Sequence, residues 1–323
     1  MRLVYLGSPE DSIYPLEYLI ENRNSHTHEV VAVISTAPKL SQRRGKHEEE
    51  VPLAAYAKRK GLLTLQPLKA SDPEFQETLR KLNPEVMITC AYGQILNQAF
   101  LDIPKRATIN IHPSLLPKYR GATPVQTALL DGIKKTGVTL LFTIKELDAG
   151  NIILQEGSPI QANELAGPLM TRLFKQSAPL LLQALEKLQD PSFEGSPQDP
   201  SQVSFCKKIR KEDGQINWNL GSDTIVNLYR GMSPWPGVFT FLNGKRIILS
   251  NLERVPIEPA KQSEPGELTF HKDDRVLKVA CKDGFLKIGT LKPEGSRSLN
   301  PSEFWNGLKN REHLKFTFEE IQK

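Results

Sequence analysis

The sequence predicts an α/β fold in which an open, mostly parallel sheet is followed by a small domain of antiparallel strands. Three observations support this prediction. Short apolar runs alternate with helical patterns in the N-terminal half, as expected when crossover helices connect parallel strands. Short strand-like runs in the C-terminal part are separated by tight-turn dipeptides, which is typical of hairpins. A connector rich in proline and serine at 190–201 separates the two regions and marks a domain boundary.

The strands and helices of the first domain follow from the spacing of its apolar residues. Strands are predicted at 2–6, 29–34, 85–90 and 107–111, with helices at about 12–21, 51–60 and 73–82. Runs at 137–144 and 151–159 and a long helical pattern at about 165–189 complete the domain. Gly7-Ser8-Pro9 after the first strand lacks the other glycines of a dinucleotide-binding loop, so we reject NAD binding.

The second domain is predicted to be a small β barrel. Its strand candidates lie at 237–242, 245–250, 276–281 and 284–291. The dipeptides Asn243-Gly244 and Asp283-Gly284 are typical hairpin turns between neighbouring strands. The expected organisation is a first domain at 1–189, a linker at 190–204 and a C-terminal domain at 205–323.

The composition limits the classes of protein to which this chain could belong. The chain has 323 residues, of which 39% are hydrophobic, so it can bury enough core for two domains. The N-terminus lacks the long apolar stretch of a secretory signal, and no apolar run reaches the length of a membrane span. Cys90, Cys206 and Cys281 form neither a disulfide framework nor a zinc motif, and we expect them to be small buried hydrophobes. These features favour a cytoplasmic protein with no membrane contact.

Asn110, His112 and Asp148 are the most informative residues. If residues 107–112 form a strand, Asn110 and His112 share a face at its C-terminal end, where open α/β sheets bind ligands. The Asn110 amide can donate a hydrogen bond to the oxyanion that forms when an amine attacks a formyl group. His112 can supply a second donor or move a proton, and a nearby Asp148 carboxylate would favour and orient its charged form. This chemistry requires neither a metal nor a protein nucleophile.

Each of these residues alone also has an ordinary structural explanation. An asparagine or histidine at a strand end is usually a turn residue whose polar atoms are satisfied locally. Asp148 could belong to an ordinary turn with the glycine that follows it, and Pro113 and Pro117 could merely interrupt a loop. Their occurrence together favours a catalytic site.

The same residues belong to an ordered set of motifs that resembles one enzyme family. The motifs are Asn110-Ile111-His112-Pro113-Ser114-Leu115-Leu116-Pro117, Tyr119-Arg120-Gly121, Thr136-Gly137-Val138-Thr139 and Leu147-Asp148-Ala149-Gly150. They resemble the signature of formyltransferases that use 10-formyltetrahydrofolate as co-substrate. The resemblance implies an open, Rossmann-like catalytic domain with Asn110, His112 and Asp148 as the catalytic trio and no metal. It also implies that the folate lies against two segments, Ser114, Leu115, Leu116 and Pro117, and Tyr92, Gly93, Gln94, Ile95 and Leu96.

Within these formyltransferases, the rest of the chain resembles the enzymes that formylate methionyl-tRNA. The matching segments are 7–10, 82–84, 211–214, Trp218 and 230–237. The later segments lie in a C-terminal region that purine-pathway formyltransferases lack and that helps to hold tRNA in this family. The resemblance therefore implies an OB-like barrel and formyl transfer from 10-formyltetrahydrofolate to the α-amino group of methionyl initiator tRNA, for translation initiation. Pro113 departs from the pattern, because these enzymes more often carry alanine there.

Two basic clusters are candidate tRNA contacts, although the net charge is only +5. Arg43, Arg44 and Lys46 could form a solvated loop that the following acidic residues neutralise, but the resemblance implies a basic loop near the acceptor end of tRNA. The start of that loop, at 37–41, departs from the family pattern. The second cluster could be a solvated linker or could contact the RNA backbone. It consists of Lys207, Lys208 and Arg210.

Trp235 lies between two prolines in the C-terminal domain. Its ring could stack on a base of the RNA, but packing in the domain core is the preferred interpretation.

Two other functions remain open at the level of the sequence. The closest alternative is a formyltransferase that acts on an amino sugar nucleotide, because such enzymes share the trio and also have C-terminal extensions. An alternative of another class is a catalytically silent RNA-binding protein, for which a damaged trio would be expected. The preferred prediction is a cytoplasmic enzyme that acts as a monomer, with initiator methionyl-tRNA and the folate as its partners.

Overall fold

The computed structural model describes residues 1–40, 48–255, 263–309, 311 and 313–319. They form two compact units, each made of segments that are distant in sequence. The first unit contains residues 1–124, 135–159 and 170–206, and the second contains 125–134, 160–169 and 207–323. The predicted linear division into 1–189, 190–204 and 205–323 stays a prediction.

The first unit contains a seven-stranded sheet. Its strands are β1 (Arg2–Gly7), β2 (Glu29–Ile34), β3 (Thr64–Leu65), β4 (Val86–Cys90), β5 (Ala107–His112), β6 (Lys135–Phe142) and β7 (Ile152–Pro159). They lie in the order β7-β6-β5-β4-β1-β2-β3. Strands β1 to β5 are parallel to one another, whereas β6 is antiparallel to both β5 and β7. The prediction of an open, mostly parallel sheet is therefore confirmed.

Four of the helices in the described part of the chain begin and end close to the predicted positions. The helices are α1 (Ile13–Glu21), α2 (Pro52–Arg59), α3 (Pro73–Lys81), α4 (Gln98–Leu101), α5 (Pro124–Leu130), α6 (Ala166–Lys187), α7 (Ser222–Met232) and α8 (Pro301–Asn306). Helix α3 shows why such starts are predictable, because the Asp72 side chain accepts a hydrogen bond from the Glu74 backbone and Pro73 occupies the first turn. Short α4, α5, α7 and α8 are absent from the sequence prediction.

The strand order changes direction beside β1. The chain passes from β1 to β2 on one side and later to β4 on the other, so the carboxyl ends of β1 and β4 border the crevice in which open α/β sheets bind ligands. Gly7 ends β1 there, and a Cβ atom at this position would lie 2.8 Å from the Cys90 carbonyl oxygen. The close approach of the two strand ends thus requires glycine.

The second unit is built on a five-stranded antiparallel sheet. Its strands are β8 (Val238–Leu242), β9 (Lys245–Arg254), β10 (Leu268–His271), β11 (Val276–Cys281) and β12 (Gly284–Pro293), in the order β8-β9-β12-β11-β10. The segment 314–317 pairs with both edges of this sheet, through bridges between Phe241 and Thr317 and between Glu267 and Lys315. The edge strands are thereby joined into a barrel, as the sequence predicts.

A buried polar contact lies inside the barrel. The Trp218 indole Nε1 donates a hydrogen bond to the Thr240 hydroxyl at 3.0 Å, and this hydroxyl donates to the Thr317 carbonyl at 3.1 Å. The Trp218 ring also stacks on Phe316, with 5.9 Å between ring centroids. Because buried polar groups are costly without partners, the Thr240 hydroxyl stabilises both the core and the closing segment.

Replacing Thr240 with valine should lower the free energy of unfolding by about 1–3 kcal/mol, because the isosteric side chain leaves the Trp218 N–H without an acceptor. Urea unfolding followed by tryptophan fluorescence measures the effect. Thr240→Ser is the matched control, since it retains the hydroxyl. Equal destabilisation by both variants would show that the hydroxyl is not the cause.

Candidate active site

Strand β5 positions two of the three predicted catalytic side chains. It lies between β4 and β6, with Asn110 opposite Thr89 and His112 opposite Thr139. The two residues are two positions apart on one strand, so their side chains point to the same face. His112 is buried and Asn110 is half-buried.

Asp148 comes to these side chains from the loop between β6 and β7. Its carboxylate accepts a hydrogen bond from the Gly121 backbone N–H at 2.8 Å and from the Asn110 amide at 3.4 Å. Its Oδ2 atom also lies 3.7 Å from His112 Nδ1. The structure therefore brings together the three residues that the sequence singles out, and their catalytic roles stay a prediction.

The orientations of Asn110 and His112 follow from their other partners. The Thr89 hydroxyl donates to Asn110 Oδ1 at 2.8 Å, which directs the amide nitrogen toward the Asp148 carboxylate. His112 Nε2 donates to the Tyr119 carbonyl at 2.9 Å, because a carbonyl oxygen can only accept. Nε2 of His112 is therefore engaged, whereas Nδ1, at 3.7 Å from Asp148 Oδ2, lies beyond hydrogen-bond distance and remains available to a substrate.

Gln198 is a site residue that the sequence analysis missed. Its side-chain amide donates to the backbone carbonyls of Asp148 and Gly150, each at 2.8 Å. Its oxygen accepts from the Arg120 guanidinium at 2.7 and 3.1 Å. The signal available in the sequence was the Tyr119-Arg120-Gly121 motif, whose arginine had no assigned partner.

The first predicted folate segment is held firmly at the end of β5. The Ser114 hydroxyl donates to the Lys118 carbonyl at 2.8 Å, and Leu116 N–H donates to the Thr139 hydroxyl at 3.2 Å. Ser114 and Leu116 are buried, whereas Leu115 and Pro117 are half-buried. The peptide bond between Leu116 and Pro117 is cis.

The second predicted folate segment follows β4. Gly93 has a positive φ of 84°, which glycine adopts readily. The Gln94 side chain accepts from the Ala70 backbone N–H at 2.7 Å, and Leu96 packs on the core of the first unit. Ile95, in contrast, is 93% exposed. One apolar side chain of this segment is therefore available to a ligand.

The Tyr92 hydroxyl is buried and has no hydrogen-bond partner among the described residues. Burial raises the pKa of Tyr92 to about 12, so the phenol stays protonated at neutral pH and can donate a hydrogen bond. Tyr92 belongs to the buried core of the first unit, so this hydroxyl is not exposed to a ligand in the structure.

Cys90, at the end of β4, contributes no reactive group. Burial raises the pKa of its thiol to about 12, and a neutral thiol is a poor nucleophile. Among the described residues there is no group of three or more metal-ligating side chains.

The residues predicted to bind tRNA are only partly described. Arg43, Arg44 and Lys46 lie outside the described residues. The second cluster, formed by Lys207, Lys208 and Arg210, is exposed. Trp235 is 56% exposed, so the expectation that it packs in the core is wrong, because the turn between its flanking prolines holds the ring away from the barrel interior.

Comparison with known proteins identifies the family. Residues 1–185 match the formyl transferase family and residues 208–309 match the formyl transferase C-terminal domain. A methionyl-tRNA formyltransferase of Syntrophus aciditrophicus is 37% identical over 309 residues, covering 96% of this chain and 96% of the relative. This chain belongs to the methionyl-tRNA formyltransferase family. The predictions of the family and of a one-carbon group transferase are thus confirmed.

Solved structures share the fold of the methionyl-tRNA formyltransferase family at lower identity. HypX from Aquifex aeolicus in complex with tetrahydrofolic acid has a TM-score of 0.63 and 21% identity over 99% of this chain. The chain spans about half the length of HypX, covering 51% of it. An N-formyltransferase from Helicobacter canadensis in complex with folinic acid and dTDP-3-aminofucose has a TM-score of 0.61 and 20% identity, covering 92% of this chain and 99% of its own. In the described part of the chain, none of the helices is long and apolar enough to span a membrane.

Proposed function

We propose that this chain transfers the formyl group of 10-formyltetrahydrofolate to the α-amino group of methionine carried on initiator tRNA, the step that prepares this tRNA for translation initiation. The observation that carries the proposal is the assembly of Asn110, His112 and Asp148 at the end of β5, in a chain matched over both domains by methionyl-tRNA formyltransferases. The amino sugar alternative has weaker support, because its solved representative is only 20% identical.

The reaction begins when the neutral α-amine attacks the formyl carbon and a new C–N bond forms. Negative charge develops on the formyl oxygen, and the Asn110 amide and the Nδ1–H group of the protonated His112 ring supply hydrogen-bond donors to it, since His112 Nδ1 lies 3.7 Å from Asp148 Oδ2 and is not engaged in a hydrogen bond there. The Thr89 hydroxyl fixes the orientation of the Asn110 amide, so its N–H donors need no reorganisation during the reaction. Positioned donors of this kind stabilise the transition state more than the bound substrate.

The second half of the reaction breaks the bond between the formyl carbon and N10 of the folate. The attacking amine loses a proton and N10 gains one, so that tetrahydrofolate leaves as a neutral amine. Asp148, beside His112 Nδ1, maintains the imidazolium and helps to relay the proton. The buried position of the pair, with side chains 5% and 12% exposed, strengthens the interaction between the two charges.

The folate is proposed to lie against the two segments that flank the trio. Ser114, Leu115, Leu116 and Pro117 form one wall, and Tyr92, Gly93, Gln94, Ile95 and Leu96 form the other. The exposed Ile95 side chain offers an apolar contact to the folate.

The tRNA is proposed to contact two basic clusters, of which one contains Arg43, Arg44 and Lys46 and the other contains Lys207, Lys208 and Arg210. Exposed Trp235 can add stacking on a base, since Pro236 and Gly237 beside it pack on Gly214, shortly after the basic run. We further propose that the enzyme acts as a monomer in the cytoplasm.

Replacing Lys208 with glutamine should weaken tRNA binding and raise KM for methionyl-tRNA, with little change in kcat, because one phosphate contact is lost. The slope of log binding constant against log salt concentration should fall by about 1. Filter binding of tRNA at several salt concentrations measures this slope. Lys272→Gln, another exposed lysine of the same unit, removes the same charge and serves as control. An equal effect of both variants would assign the change to net charge alone.

The proposed function is tested by following labelled formyl transfer from 10-formyltetrahydrofolate. Methionyl initiator tRNA, uncharged tRNA and an amino sugar nucleotide are offered in parallel. Formyl-methionyl-tRNA is the expected dominant product. Formylation of the amino sugar alone would reject the tRNA substrate, and tRNA binding without any product would favour the silent RNA-binding protein.

A further inference from the structure

The segment 194–206 is more than a connection between two domains. Ser196 exchanges two backbone hydrogen bonds with Ile152, at 2.7 and 2.8 Å, beside the loop that carries Asp148. Ser204 accepts a backbone hydrogen bond from Arg120 at 2.8 Å, beside the loop that carries Gly121. The segment therefore contacts both loops from which the Asp148 carboxylate and its N–H donor come.

Gln198 links these two sets of contacts through one side chain. Its two N–H groups donate to the carbonyls of Asp148 and Gly150, and its oxygen accepts two hydrogen bonds from the Arg120 guanidinium. Every strong polar group of the amide is thus used. Rotation of the amide by 180° would place its oxygen against two carbonyls and its N–H groups against a cation, so the surroundings allow one orientation.

The loop that Gln198 holds has an unfavourable backbone conformation. Asp148 has a φ of 49°, in the left-handed region that non-glycine residues seldom adopt. A Cβ atom on Gly150 would lie 1.9 Å from the Phe142 carbonyl oxygen, so the loop folds tightly against the end of β6. A strained backbone persists only where its surroundings hold it, and the Asp148 and Gly150 carbonyls are held by Gln198.

We propose that Gln198 is a positioning residue for the reaction, oriented by Arg120, which keeps the Asp148 carboxylate beside His112. The inference rests on the proposed function, because it assigns Asp148 a part in formyl transfer. Gln198 touches the backbone of the Asp148 loop and acts through that loop. Its place in a segment of proline and serine, rather than in a strand or helix, conceals this role in the sequence.

The test uses the full-length chain with Gln198→Ala. Loss of the two carbonyl contacts lets the loop shift, and a displacement of about 1 Å at a catalytic group lowers kcat by about 10²-fold. The KM values for folate and tRNA should change little, since neither binding segment is altered. Gln198→Glu retains the acceptor for Arg120 but cannot donate to the carbonyls, so its kcat should fall at least as far. Gln202→Ala is the control, because that side chain in the same segment donates to exposed Asp199.

The outcomes distinguish the proposed function from the proposed positioning role of Gln198. Wild-type enzyme that fails to formylate methionyl-tRNA would reject the proposed function itself. Active wild-type enzyme with unchanged kcat in Gln198→Ala or Gln198→Glu would overturn the positioning role. An equal fall in kcat in Gln202→Ala would also overturn the positioning role. So would a fall in kcat of the Gln198 variants that is only proportional to a fall in their unfolding temperature. A fall in kcat at unchanged unfolding temperature and KM supports the positioning role.

Discussion

Replacement of His112 with alanine is expected to lower kcat by about 10²–10⁴-fold, the range for loss of a positioned general acid or base. The imidazole lies between two acceptors, the Tyr119 carbonyl at 2.9 Å and the Asp148 carboxylate at 3.7 Å. Alanine removes both the donor to the formyl oxygen and the group that moves the proton. Single-turnover formyl transfer, which separates chemistry from product release, measures the effect.

The control for this prediction is His271→Ala at the end of β10. That histidine is half-buried and belongs to the barrel unit. It should leave kcat unchanged, and circular dichroism should show that the His112 variant retains its fold. A His112→Ala enzyme with near-normal single-turnover rates would remove the histidine from the mechanism.

Replacement of Asn110 with alanine is expected to lower kcat by about 10²–10³-fold, the range for loss of one oxyanion donor. The KM values should change little, because the amide acts on charge that develops only in the transition state. Asn110→Asp is the sharper variant. It retains the volume of the side chain but has no N–H donor, and it places a second carboxylate beside Asp148.

We therefore expect Asn110→Asp to lose at least as much activity as the alanine variant. Wild-type kcat in Asn110→Asp would show that a filled volume, and not a donor, is what the site needs. If alanine at Asn110, at His112 and at Asp148 each left turnover near normal, the assignment of the trio would be rejected.

The sheet and the two site residues on β5, Asn110 and His112, could be predicted because the sequence patterns that indicate them are local. Strand β5 shows this, since its apolar run ends at His112 just before a proline, and the two-residue period then places Asn110 on the same face. Hairpin turns at Asn243 and Asp283 likewise marked strands whose register is set by the turn itself. Such features depend on neighbouring residues, so a single sequence reveals them.

The rest of the site depends on contacts between distant segments. Asp148 reaches His112 because the β6–β7 pair is antiparallel and because Gly150 packs against the Phe142 carbonyl. Gln198 lies in a segment whose composition reports only the lack of regular structure, which says nothing about what its side chains contact. The same limit applies to Trp235, whose apolar ring favoured burial whereas the flanking turn exposes it.

The closing segment of the barrel sets an order for the synthesis of the protein. Residues 314–317 join β8 to the β10 edge, so both edge strands lack these partners until residues 314–317 have left the ribosome. All seven strands of the large sheet in the first unit precede residue 160 and can pair much earlier during translation. A nascent chain that stalls before residue 314 would thus carry a paired sheet in the first unit and an open barrel whose two edge strands are unpaired, a state prone to aggregation.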